Sequence, residues 1–231
     1  MLQLIGLLAL SWLFLRLFEK RDLSVLGLKP TKDRLKYFAI LFLVSAVFSA
    51  TAFLLRTYFT KEQYTLAPSL TTESVVIESW NQFRSVLTEE LLCREALLYI
   101  LIKRLGSTKA ILISSLIFAA LHWMVAGVWG NLTQMIIVFT FTFAMGILLA
   151  YTYARTFSLL LPFAIHYGWN LIQNYIFPGS ATGNHIYILA APPPIVTISY
   201  LAFFTMLLVP KISVLIFNWL IVKRHRRVEV P

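Results

Sequence analysis

Charge is what this chain of 231 residues has least of. Asp, Glu, Lys and Arg make up 13% of it and hydrophobic residues 59%, and the mean hydropathy is +0.77. A soluble domain carries about 25% charged residues. That shortfall excludes a soluble fold and implies a polytopic membrane protein. Acidic residues are the scarcer kind, 10 against 20 Lys and Arg, for a net charge of +10. The basic surplus forms no groove interleaved with stacking aromatics, so no nucleic acid partner is expected. It lies in short loops between apolar stretches, as on the cytoplasmic side of a membrane protein. The one cysteine, Cys93, excludes a disulfide within the chain and a zinc site built on thiolates. It reads as a small buried hydrophobe rather than a reactive thiol. Residues 1–15 lack a basic leader, and no small-residue cleavage site follows them. They read as a retained first helix, not a signal peptide. With no repeat, low-complexity segment or linker, residues 1–231 are expected to form a single integral membrane domain.

About 20 apolar residues cross a bilayer as a helix. The apolar stretches place spans at roughly 2–18, 36–55, 84–102, 110–128, 132–153, 157–177 and 187–209. The expected fold is an all-α polytopic bundle of about seven spans. Basic loops (Lys20 to Arg34; Lys103, Arg104 and Lys109; Arg155; the tail Lys223 to Arg227) alternate with neutral or mixed ones. The positive-inside rule then puts the N-terminus outside and the C-terminus in the cytoplasm. An eighth crossing would carry the basic tail outside, against that bias. Pro210 and Lys211 interrupt the last apolar stretch. Residues 212–231 are therefore expected to be an interfacial helix and a basic cytoplasmic tail. Residues 60–83 are too polar to span and read as a loop with a partly inserted helix. Pro192-Pro193-Pro194 reads as a rigid turn.

Three polar patterns fall within or beside these spans: Glu89-Glu90-x-x-x-Arg94, Phe118-x-x-x-His122 and His166-x-x-x-Asn170. Ionisable groups at membrane depth are costly and point to a functional site. Residues four apart share a helix face, so Glu90 pairs with Arg94 and His166 joins Asn170 in one pocket. Glu89 points about 100° away from Glu90, toward another neighbour. Each motif alone also has a structural reading. Glu90 and Arg94 suit a salt bridge at a helix end, His122 a helix terminus, and His166 and Asn170 a polar contact between helices. Taken together they suit water activation by a carboxylate and an imidazole, with two donors for an oxyanion. Phe118 lies one turn before His122 and is expected to pack behind it. His185 and His225 stand outside any motif and are expected to be solvated. Glu95 receives no role.

These motifs, in this order, resemble the CPBP family of intramembrane proteases (CAAX proteases and bacteriocin-processing enzymes, also called the Abi family), with the pattern E-E-x-x-x-R, F-x-x-x-H and H-x-x-x-N or D. The resemblance covers about residues 25–177, the expected catalytic core, and includes Leu26-Gly27-Leu28 ahead of a basic loop. It implies a glutamic-type endopeptidase acting on a membrane-anchored protein or peptide. Glu89 and His122 would polarise the attacking water. His166 and Asn170 would stabilise the oxyanion, with Glu90 and Arg94 in support. No metal or cofactor is required; zinc on the histidines and glutamate is the minor alternative. Cys93 and Glu95 depart from the family, many members having an aromatic residue and a glycine there. That puts substrate preference in doubt more than the chemistry. The topology places Glu89 and His122 toward the outer leaflet, which suits C-terminal processing or sorting of exported proteins in a prokaryotic inner membrane. The rival reading is a non-catalytic member acting in bacteriocin immunity or as a scaffold. A transporter or proton pathway is disfavoured, since no matched halves with broken helices are found.

Overall fold

The computed structural model describes residues 2–125, 127–177 and 185–230. Its elements are α1 (Leu2–Glu19), α2 (Lys32–Thr60), β1 (Tyr64–Leu66), α3 (Thr72–Arg94), α4 (Ala96–Leu105), α5 (Ser107–Leu121), α6 (Leu132–Thr156), α7 (Leu160–Leu171), β2 (Tyr187–Leu189) and α8 (Tyr200–Arg224). Short 3₁₀ turns cover Leu23–Leu26 and His122–Met124, and a π turn, Ile172–Ile176, continues α7. The fold is an all-α membrane bundle. Among the described residues, five helices are long and apolar enough to cross a bilayer: α1, α2, α5 with its 3₁₀ extension, α6 and α8.

The bundle hides its small polar groups and exposes its hydrophobes. Helix α2 buries Ser45 and Ser49 while Leu43, Val47 and Leu54 face outward. Asn218 of α8 donates to Ser45 Oγ at 3.1 Å. Ser49 Oγ donates to the Trp169 carbonyl of α7 at 2.9 Å. Such bonds tie helices together where hydrocarbon on both sides removes any gain from apolar burial. Helices α2 and α7 approach closely at Gly168, where an added Cβ would lie 2.4 Å from the Phe42 carbonyl oxygen.

One end of the bundle gathers the basic segments. Glu19 at the end of α1 pairs with Lys103 at 2.7 Å and Arg104 at 3.1 Å at the end of α4. Arg155 at the end of α6 donates to the carbonyls of Val222 (2.9 Å) and Lys223 (2.7 Å) at the end of α8. His225 meets Asp33 at the start of α2 at 3.1 Å. Gly27, at φ +62, closes the 3₁₀ turn against Phe157, where only hydrogen leaves room. At the other end β1 and β2 pair antiparallel, Thr65 opposite Ile188.

Four expectations are corrected. The single span over 84–102 is two helices broken at Glu95, whose backbone (φ −93, ψ −127) leaves the helical region. There the buried Glu95 carboxylate accepts from Ser11 of α1. The span expected at 187–209 begins instead as strand β2. The helix starts only after the Pro192–Pro194 run, where Ser199 Oγ caps it by accepting from Ala202 N–H at 3.2 Å. It then continues through Pro210 to Arg224, so the separate interfacial helix over 212–222 is the second half of α8. A proline inside a membrane helix forfeits one backbone bond, which neighbours and local adjustment tolerate. Finally, His225 is not solvated: it is buried, donates from Nδ1 to the Arg226 carbonyl at 2.8 Å and stands edge-on to Tyr37. The loop and partly inserted helix expected over 60–83 correspond to β1 and the first half of α3, which Thr71 and Ser74 open with a capping box.

Candidate active site

The three motifs lie on α3, α5 and α7, and the fold brings all seven residues together. On α3, Arg94 Nη1 donates to Glu90 Oε1 at 2.9 Å, both side chains fully buried. The same oxygen accepts from His166 Nδ1 on α7 at 2.8 Å. A charged, doubly bonded carboxylate of this kind is a strong anchor. His166 Nε2 in turn lies 3.1 Å from Asn170 Nδ2, one turn further along α7. Just past the end of α5, in the 3₁₀ turn, His122 Nδ1 donates to the Phe118 carbonyl at 2.8 Å. Both imidazoles thus use Nδ1 to anchor the ring and turn Nε2 to a common point.

That point is Glu89. Its Oε2 lies 3.7 Å from His122 Nε2 and 3.7 Å from His166 Nε2. These separations exceed a direct hydrogen bond but suit one bridged by a water-sized group. Glu89 and His122 are partly exposed, whereas Glu90, Arg94 and His166 are buried. The site therefore has an accessible face bearing Glu89 and a closed floor bearing Glu90.

Phe118 packs as expected, and does more. The Arg94 guanidinium carbon lies 3.7 Å from its ring centroid. Its ring also stands edge-on to His122 at 4.4 Å and His166 at 5.6 Å. Nε and Nη2 of Arg94 have no hydrogen bond among the described residues, so the aromatic face is their main contact. Cys93 is buried in the apolar cluster around Phe118, and its carbonyl accepts from Ser114 Oγ at 2.8 Å, docking α5 on α3.

Sequence reasoning missed the supporting residues Ser49, Ser114 and Gly168. The signal for them was weak but present: small residues recurring in apolar helices mark close helix contacts. Among the described residues, no group of three or more His, Cys, Asp or Glu is arranged to hold a metal ion.

The family model for type II CAAX prenyl endopeptidases, described as Rce1-like, matches residues 73–172. The match, over less than half of the chain, supports a CPBP/CAAX-protease family assignment. The matched stretch begins in the first turn of α3, ends just past α7 and contains every candidate residue. The activity class of this CAAX-protease family is endopeptidase action on protein substrates in the bilayer. No curated protein and no solved structure matches the chain.

Proposed function

We propose that this chain is a glutamic-type intramembrane endopeptidase in which Glu89 and His122 activate water and His166 and Asn170 bind the oxyanion. The observation that carries this reading is Glu89 Oε2 set 3.7 Å from two imidazole Nε2 atoms whose other nitrogens are already engaged. A water between Glu89 and His122 is polarised by both. As its oxygen bonds to the scissile carbonyl carbon, its proton passes to Glu89. Asn170 Nδ2 and a protonated His166 Nε2 then donate to the oxyanion. Collapse breaks the C–N bond, and the proton held by Glu89 goes to the leaving amine. No metal takes part in this scheme.

The substrate is a membrane-anchored protein, cut near a helix end where its carbonyls are free of backbone hydrogen bonds. The alternation of basic and neutral loops supports an N-terminus outside and a cytoplasmic C-terminus. On that orientation the site serves exported proteins with a hydrophobic C-terminal anchor. A protease-protection assay on a C-terminal tag tests the orientation; a tag found outside the cell overturns it.

The decisive experiment compares protein C-termini in membranes from cells carrying the wild-type chain and Glu89→Gln. Glutamine keeps the size but cannot take a proton. A set of proteins that keeps its C-terminal segment only with the variant supports the proposal and names the substrates. Unchanged termini, with the variant stably present, overturn it in favour of an immunity or scaffold role.

A further inference from the structure

Lys211 lies at the middle of α8, with about 16 Å of helix between it and Tyr200. A cation at that depth is expensive without a partner and marks a functional site by default. No carboxylate pairs with it among the described residues. Its Nζ lies 4.9 Å from the ring centroid of Phe141 on α6.

Two cavities meet at this side chain. One, of about 330 Å³, lies between α2, the π turn and α8 and is lined by Arg56, Gln173 and Lys211 among aromatic and aliphatic residues. The other, of about 340 Å³, lies between α6 and α8 and is apolar apart from Thr140 and Lys211. A third recess of about 390 Å³, sharing Ala144 and Leu215, prolongs that apolar groove to Trp219. Helical side chains lean toward the helix N-terminus. Lys211 therefore leans toward the end of the bundle where Arg56 is fixed by Glu62 (Nε to Oε2, 2.8 Å) and by Tyr64. Glu62 balances Arg56, so the net positive charge of the cavity comes from Lys211.

We propose that Lys211, in a cavity also lined by Arg56, holds the phosphate of an anionic phospholipid whose acyl chains lie in the groove between α6 and α8. The cation without a carboxylate supplies charge complementarity, and the apolar groove that runs from it supplies room for the chains. None of the three motif residue sets lines these cavities, so the site stands apart from Glu89 and does not depend on catalysis.

The test is native mass spectrometry of the full chain in detergent, with dioleoyl phosphatidylglycerol or dioleoyl phosphatidylcholine added. The wild type should retain phosphatidylglycerol in preference. Lys211→Met should lower that retention about fivefold, Lys211→Arg should keep it, and the tail variant Lys223→Met should leave it unchanged. Equal retention of the two lipids, or undiminished phosphatidylglycerol on Lys211→Met, overturns the proposal. Should Lys211→Met not fold, photoreactive phosphatidylglycerol on the wild type decides. Crosslinks within residues 203–211 or 136–144 support the site, and crosslinks confined elsewhere overturn it.

Discussion

His166 donates through Nδ1 to Glu90 Oε1 at 2.8 Å, joining residues 76 positions apart in the chain. Glu90 also holds Arg94, so one buried carboxylate orients the α7 imidazole and compensates the α3 guanidinium. On the proposed mechanism Glu90 is a positioning residue, since it holds His166 and Arg94 and not the attacking water.

Glu90→Gln is expected to separate these two duties. Loss of the charge leaves Arg94 buried and uncompensated, at a cost of about 3–5 kcal/mol, read as a lower thermal unfolding midpoint in detergent. Misplacement of His166 should cut C-terminal processing in cells about a hundredfold. The double variant Glu90→Gln/Arg94→Met removes the stranded charge. It should regain stability while processing stays low. Recovery of both together would contradict a positioning role for Glu90.

Gly168 offers a steric test of the same site. An alanine Cβ there meets Phe42 backbone atoms at 2.4, 3.1 and 3.2 Å, and backbone yields little. Gly168→Ala should push α7 off α2, cost at least about 1–3 kcal/mol, and displace His166 and Asn170 on either side. Unfolding midpoint and processing should fall together. Gly6→Ala, with nothing within 4 Å of the new methyl, is the control and should change neither.

Tyr64 gives a pH signature away from the membrane-spanning helices. Burial, with help from its hydrogen bond to Glu62, pushes its phenol up to about 12 from 10.0. Because the folded value is the higher one, its contribution is fully present below pH 10 and is lost as pH rises toward 12. The stability difference between wild type and Tyr64→Phe should be flat below pH 10 and shrink between pH 10 and 12. Thermal unfolding across that range checks it; a difference that shrinks below pH 9 would be inconsistent.

Metal chelation distinguishes the two ways of activating water. With Glu89 and His122 acting directly, processing by purified protein in lipid vesicles should be unchanged by 1,10-phenanthroline. Loss of activity that zinc restores would move the chemistry to a zinc-bound water.

The greater part of this protein's character is local and so was readable in the chain. Membrane residence follows from the scarcity of charge. The polar set of Glu89, Glu90, Arg94, Phe118, His122, His166 and Asn170 follows from the expense of placing such groups in apolar helices. The helix starts at Thr72 and Tyr200 were not read, although Thr71 and Ser199 cap them, because apolar runs alone placed the spans at 84 and 187. The break at Glu95 was not read either, and the group its carboxylate meets there, Ser11, lies 84 residues away in the chain. Nor was the course of α8 through Pro210, where proline argues locally for an end and the surrounding bundle overrides it. His225 escaped for a similar reason, its partner Asp33 lying 192 positions off. Sequence alone determined that this is a membrane bundle and which residues compose its polar site. Tertiary structure decided that His166 anchors on Glu90 through Nδ1 and that both imidazoles present Nε2 to Glu89. That choice depends on the approach of α3, α5 and α7 to within a few ångströms, which packing between distant segments sets and no local pattern encodes.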